Sequence, residues 1–438
     1  MQETHPFKQL QVPARNVTGR SVEAEPVGTK PCPELPPEIH EIIINELDGE
    51  TEALKQCALT CRVYRYGAQK LLFNKLTLDF SPGSNPAHEF LGILEASPWI
   101  GDYVACLSLR SSGHLSEDTD EKDKWVSRVI TALPNIVEMD MGWGLRDFRF
   151  CMLDLSSQMA IMSTCENLRS LTLAFTEDAP LAIFDHMQRI ETLDLQDVRF
   201  PKDREVLHAK SWTVPYRIKE LTLQYVHIEG ARMIYPFLKK RRFSKGLLET
   251  LSIGLNELNW VTLSQRAYKG IKWLIRSSAK SLKVFELIVA SGDPVILRDG
   301  DLIFNISKMP LLEDLTLGST IFERVPGMPA SPIGLDWFLR QLETIPVGRK
   351  LQSIFLRPAI YDPSLCIVES SSHSEELKHF EQTILQEVLP KTEEFRIGFF
   401  IRQKGGHSEG PQLAKEKILR NLPVLQALNL LHFEEYGK

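Results

Sequence analysis

Leu168-Arg169-Ser170-Leu171-Thr172-Leu173 is the stretch on which the fold turns. Its last two leucines stand two residues apart, so in an extended chain they share one face and Thr172 takes the other. The same word, apolar-x-x-apolar-x-apolar, returns at Ile190–Leu195, Ile218–Leu223, Leu248–Ile253, Leu282–Leu287 and Leu312–Leu317. Weaker copies start at Val104, Ile136, Leu351, Thr392 and Leu425. Start-to-start spacing runs from 22 residues (168 to 190) to 41 (351 to 392). It averages about 32, a period that marks stacked repeats. One strand cannot bury its apolar face alone, but stacked strands can, and they then form a parallel sheet. Segments of helical period between the words, such as Lys122 to Ala132 and Gln265 to Ser277, would cover the back of that sheet. The uneven spacing, with long insertions around 323–336 and 358–376, points to an irregular solenoid.

Residues that alternate with the paired apolar positions face away from the core. Asp194, Gln196, Thr222, Gln224, Glu286, Arg357 and Arg396 occupy such positions. Any one of them is expected to be an ordinary solvated strand residue. As a set they are the expected target-binding surface, because solenoids bind through the open face of the sheet.

Ahead of the repeats the texture differs. Residues 1–31 carry Pro, Gly, Thr and charge without apolar periodicity and are expected to be a disordered tail. From Leu35 to Phe73 the pattern is helical. Pro36-Pro37 suit a first helical turn. Ile39, Ile42, Ile43 and Leu47 then fall on one face, and Asp48-Gly49 ends the helix. A second helix is expected from Thr51, with Leu54, Cys57 and Ala58 facing in, and a third from Arg62 to Leu72. Three helices in about 40 residues bury little area by themselves, so this unit needs a neighbour or a partner.

The segment 35–78, LPPEIHEIIINELDGETEALKQCALTCRVYRYGAQKLLFNKLTL, resembles the F-box motif, in particular its fungal versions. The resemblance is carried by Leu35-Pro36-x-Glu38-Ile39, Ile42, Leu47, Leu54, Cys57, Leu59, Cys61-Arg62-x-Tyr64 and Leu72-Phe73. Tyr64 stands where that family usually has Trp, and still offers a large amphipathic ring. The repeated words resemble leucine-rich repeats. The Asn that follows the word in that family is matched by Asn256, with Ser112, Thr176 and Thr320 as polar substitutes.

The two resemblances together imply an α/β chain: the tail, a three-helix F-box over 32–75, and over 76–438 an irregular leucine-rich-repeat solenoid with its parallel sheet on the concave side. They imply the substrate-recognition subunit of an SCF-type ubiquitin ligase, acting in ubiquitin-dependent degradation. Leu35, Pro36, Ile39, Ile42, Leu54, Cys57 and Tyr64 would contact a Skp-family adaptor, and through it a cullin-RING ligase. The repeats would hold an unidentified target protein. No residue of this chain would be catalytic and no cofactor is implied, because transfer would be promoted by effective concentration.

The bulk numbers narrow the alternatives. A length of 438 residues is too great for one small core. A net charge of -6 gives no basic footprint for nucleic acid. No apolar run reaches the ~18 residues of a membrane span, and the N-terminus lacks the apolar core of a signal peptide. A cytoplasmic or nuclear location is therefore expected. The seven cysteines (32, 57, 61, 106, 151, 165 and 366) are odd in number and widely spaced, as reduced thiols are. Cys57 and Cys61 have no further ligands nearby for zinc, so no metal is expected. No phosphate-binding glycine loop, zinc-protease helix or nucleophile elbow occurs. Lys239-Lys240-Arg241-Arg242 reads as a solvated helix end rather than an import signal, and Glu117–Asp123 as an exposed loop. Two other classes stay open: a leucine-rich-repeat scaffold without a ligase role, and an enzyme on an unfamiliar fold.

Overall fold

The computed structural model describes residues 35–60, 62–79, 86–110, 120–142, 148–180, 182–200, 217–224, 247–255, 265–289, 304–320, 333–346, 348–360, 371–402 and 409–436. The expectations for the tail 1–31, for Cys32, Cys61, Cys366, Ser112 and Asn256, and for the basic run 239–242 lie outside these residues. The chain forms two compact units that divide between Gly67 and Ala68.

The first unit holds α1 (Pro37–Asn45), α2 (Thr51–Thr60) and the start of α3 (Arg62–Phe73). Pro37 opens α1, and the Pro36 carbonyl accepts from the Ile39 N–H at 3.0 Å. Gly49, at φ +90°, turns the chain into α2. Among the described residues of this unit, Ile44 and Leu54 are the deeply buried large apolar side chains. A Cβ on Gly67 would stand 3.1 Å from Ile44, so α3 offers a side-chain-free spot where α1 presses against it. Arg65 Nε donates to the Ala58 carbonyl at 3.3 Å and ties α3 to α2. The inward residue of α1 is thus Ile44. Ile39, Ile42 and Ile43 do share a face, as their spacing requires, but that face is exposed.

The second unit is mixed α/β, built on a twelve-stranded sheet of solenoid-like order. Its strands are β1 (Lys75–Asp79), β2 (Cys106–Arg110), β3 (Glu138–Met141), β5 (Ser170–Ala174), β7 (Thr192–Gln196), β8 (Glu220–Gln224), β9 (Thr250–Leu255), β10 (Val284–Val289), β11 (Asp314–Thr320), β12 (Leu351–Ile360), β13 (Thr392–Arg402) and β14 (Leu431–Tyr436). They pair in sequence order, every pair parallel. The short strands β4 (Phe148–Arg149) and β6 (Thr176–Glu177) pair beside it. Parallel strands need long crossovers, and helices supply them. These are α4 (Pro86–Ala96), α5 (Asp120–Thr131), α6 (Leu155–Thr164), α7 (Ile183–His186), α8 (Gln265–Ser278), α9 (Ile333–Leu342), α10 (Ser371–Thr383), α11 (Glu409–Asn421) and α12 (Pro423–Ala427). The helices expected near 122–132 and 265–277 are α5 and α8, and α5 begins at Asp120, inside the stretch read as a loop.

Each repeated word does what its spacing dictates. In-register ladders such as Leu171–Leu193–Leu221–Leu251–Phe285–Leu315 run through the buried core, with Leu173–Leu195–Leu223–Ile253–Leu287–Leu317 beside them. The first apolar residue of each word, from Leu168 to Leu312, is buried in the same core. The second position of successive words reads Arg169, Glu191, Lys219, Glu249, Lys283 and Glu313, alternating in sign along the stack. Lys219 meets Glu191 at 2.7 Å and Lys283 meets Glu249 at 2.8 Å. Like neighbours would repel and unlike ones attract, so this alternation favours the native order of repeats over a slipped one.

Two readings of the weaker words are corrected. Leu425 does not begin a strand: Pro423 opens a short helix there, and the last strand starts at Leu431. The helix wins because the buried Glu381 carboxylate accepts from the Val424 and Leu425 N–H groups at 2.8 and 3.0 Å, satisfying two donors of its first turn. At the other end the sheet starts one strand earlier than the words suggested. Leu76 and Leu78 are buried in β1 beside β2.

Candidate functional site

Two surfaces carry the residues singled out from the sequence, one on each unit. On the first unit, Leu35, Pro36, Ile39 and Ile42 are exposed, Leu35 at 48% and Ile42 at 55%. Cys57 and Tyr64 are half-buried, and the Tyr64 ring stands edge-on to His40 at 5.0 Å. Leu54 is only 3% exposed, which corrects its assignment as a contact residue: it belongs to the core of this unit. It lies on the inner side of α2, where the helical period had put it, and a side chain that fills the interior cannot also meet a partner.

The spacing missed Ile43, Leu59, Val63 and Tyr66, which expose 39%, 62%, 59% and 63% of their surface. Val63 and Tyr66 are three apart on α3 and share a side of it. The signal was present in the sequence. An apolar residue at nearly every face of a short helix cannot all be inward, and the surplus has to point out. Together with Leu35, Ile39 and Ile42, these four residues make this surface the candidate site of the first unit.

The second surface is the sheet face turned away from the core. Register places Asp140, Thr172, Asp194, Thr222, Ser252, Glu286, Thr316, Phe355 and Arg396 in one row across β3 to β13. Gln196 and Gln224 lie in the next row, with Arg357 two residues past Phe355. Asp194, Gln196, Thr222, Gln224, Glu286, Arg357 and Arg396 therefore all do stand on one face.

Several of them are joined. Arg357 Nη1 donates to Glu286 Oε1 at 3.2 Å across the intervening β11, where Gly318 presents no side chain. Ser252 Oγ donates to the other oxygen of Glu286 at 2.5 Å, and Gln224 Nε2 donates to Ser252 Oγ at 3.4 Å. The guanidinium of Arg357 also lies 4.6 Å from the Phe400 ring and 5.9 Å from that of Phe355, within reach of cation–π attraction. Arg396 pairs with Glu394. Phe355 and Phe400 were not foreseen, though an aromatic at an outward strand position of SIFLRP is the pattern that reveals one.

The other end of the face is acidic. Glu138, Asp140, Asp194 and Glu220 project from β3, β7 and β8 with no cation paired to them among the described residues. Their partners are neutral: Cys106 donates to Glu138 at 3.2 Å, Thr192 to Glu220 at 3.3 Å and Gln196 to Asp194 Oδ2 at 2.8 Å. Asp194 Oδ1 is buried and has no donor among the described residues. Burial, with the nearby Asp140 charge adding to it, raises the Asp194 carboxyl above its ordinary value. Burial and the Glu138 carboxylate push the Cys106 thiol up to about 12, so it is an unreactive thiol. Among the described residues no three or more His, Cys, Asp or Glu gather as a metal site, and no helix is long and apolar enough to cross a membrane.

No family model matches the chain, and no curated protein matches it either. Among solved structures, one similar chain is a crystal structure of a protein from Bacteroides fragilis. It is 12% identical, covers 71% of this chain and 69% of its own, and superposes with a TM-score of 0.34.

Proposed function

We propose that the protein is the substrate-recognition subunit of an SCF-type ubiquitin ligase. In this reading the N-terminal helical unit is an F-box that docks on a Skp-family adaptor, and the outward sheet face holds the target. The chain itself carries no catalytic residue and needs no cofactor. It works in the cytoplasm or nucleus by bringing a target to a cullin-RING assembly.

The observation that carries this reading is the first unit itself. Among its described residues the deeply buried large apolar side chains are Ile44 and Leu54, while Leu35, Ile39, Ile42, Ile43, Leu59, Val63 and Tyr66 are exposed. A unit that leaves more large apolar side chains outside than inside is completed by a partner. The F-box resemblance supplies the partner's class.

The test is affinity purification of the full chain beside Leu35→Ala/Pro36→Ala and Ile39→Asp/Ile42→Asp variants, with mass spectrometry of what co-purifies. Adaptor and cullin should accompany the wild type. Both should be lost from the variants, since removing one buried anchor costs ~2 kcal/mol, about thirty-fold in affinity. Adaptor without cullin would favour a scaffold role, and neither protein with the wild type would sink the proposal.

A further inference from the structure

Among the described residues the sheet ends on β14, which is hydrogen-bonded there on one side only, to β13. Ile397 donates its N–H to the Leu430 carbonyl at 2.9 Å. Backbone groups alternate sides along a strand. Leu430, His432 and Glu434 therefore turn theirs toward β13, while Leu431, Phe433 and Glu435 turn theirs to the free edge. A row of unpaired N–H and C=O groups is a template for another strand. The same terminal repeat exposes Val424 on α12 and Leu428 just past its end.

The sequence of this edge is complementary to itself. Set a second β14 antiparallel, with a two-fold axis at Phe433. The outward N–H and C=O of Phe433 then meet those of Phe433 in the second copy, and Leu431 aligns with the backbone of Glu435. His432 and Glu434, both exposed, come opposite Glu434 and His432 of the second copy, so the imidazole–carboxylate match occurs twice. The two neighbouring symmetric registers are poorer. An axis at Glu434 sets carboxylate against carboxylate, and one at His432 sets imidazole against imidazole.

We propose that β14 is a homodimerisation edge, to which a second copy of this chain adds as an antiparallel strand centred on Phe433. Phe433 already stacks on Phe399, with centroids 5.3 Å apart and planes 15° from parallel. Pairing extends that stack to four rings across the axis. The Lys415 ammonium, 5.3 Å from the Phe433 ring, sits on a flexible stem and swings aside. An interface of one strand and part of one short helix is small, so the dimer is a micromolar one.

The experiment is analytical ultracentrifugation of the full chain from ~1 to ~100 μM, a range that spans a micromolar equilibrium. Wild type should pass from monomer to dimer. His432→Glu, which sets two glutamates against two, should weaken the dimer at least tenfold. His432→Glu/Glu434→Lys, which restores opposite charges in the same register, should bring it back. Both side chains are exposed, and an unchanged melting temperature confirms that the variants fold. A wild type that stays monomeric at ~100 μM overturns the proposal. So does a dimer untouched by His432→Glu, or one that the charge swap fails to restore. None of these outcomes depends on adaptor binding, so the two proposals stand or fall separately.

Discussion

Gly142 shows how one residue fixes a strand end. It follows β3 at φ +98°, and a Cβ there would lie 1.7 Å from the Ala174 carbonyl oxygen. Phe175 and Asp197 hold the same left-handed conformation just after β5 and β7, donating their N–H groups to the Gln196 and Gln224 carbonyls. Gly142→Ala must move the backbone of the neighbouring repeat. It should cost about 3 kcal/mol in urea melts, several times the ~1 kcal/mol of left-handed strain alone. Gly49→Ala, at φ +90° with open space around it, should cost only that smaller amount.

Asp194 offers a second test at this scale. Its carboxyl is raised in the fold, so the fold favours the protonated form. The charged form is a burden at neutral pH that lifts as pH falls through the raised value toward the unfolded one. Asp194→Asn keeps an acceptor for Gln196 and should stabilise the protein at pH 7 by roughly a few tenths of a kcal/mol, because the side chain is only half-buried and solvent screens part of the effect. The gain should vanish in melts at acid pH. Equal effects at both pH values would mean that charge is not the cause.

Among the elements, α1 and α2 separate two roles that the sequence ran together. Ile39→Asp/Ile42→Asp changes exposed positions and should leave thermal unfolding within about 0.5 kcal/mol of wild type. Leu54→Asp buries an unpaired charge and should unfold the first unit, seen as lost helical circular dichroism. If both variants unfold, the α1 face is core after all. At the far end, Glu381 on α10 caps α12 with one oxygen. Glu381→Ala orphans two N–H groups and should cost about 2 kcal/mol. Glu381→Gln keeps an acceptor and should cost less.

The charge ladder is also an element-scale feature. Lys219 holds Glu191 below the usual carboxylate range, and Lys283 does the same to Glu249. Their favourable pairing is complete above the ordinary carboxylate value and is lost as pH falls through the lowered ones. These pairs are exposed and screened by salt, so they order the repeats more than they stabilise them.

For the whole molecule, a sheet whose strands pair only with sequence neighbours behaves as a one-dimensional stack. Leu223→Ala, in β8, removes a buried side chain and should cost about 3 kcal/mol. Hydrogen exchange should show that loss concentrated in β7, β8 and β9, fading toward β1 and β14. A uniform rise in exchange across all twelve strands would show instead that the stack unfolds as one unit.

The alternation Leu171-Thr172-Leu173 settles by itself which residues face in, because a strand's two-residue period is a local property of the backbone. The words therefore specified parallel strands, their order and the outward set from Asp194 to Arg396 without help from the fold. Other features depended on what lies far away in sequence. Whether Ile44 or Ile39 turned inward was decided by the side-chain-free spot at Gly67. Leu425 entered a helix because Glu381, 44 residues earlier, caps it. Arg357 reaches Glu286, 71 residues away, over a glycine in the strand between them. Burial and pairing are sums over neighbours that the chain brings together only when it folds. Periodicity was legible for that reason, while partners were decided by the tertiary structure.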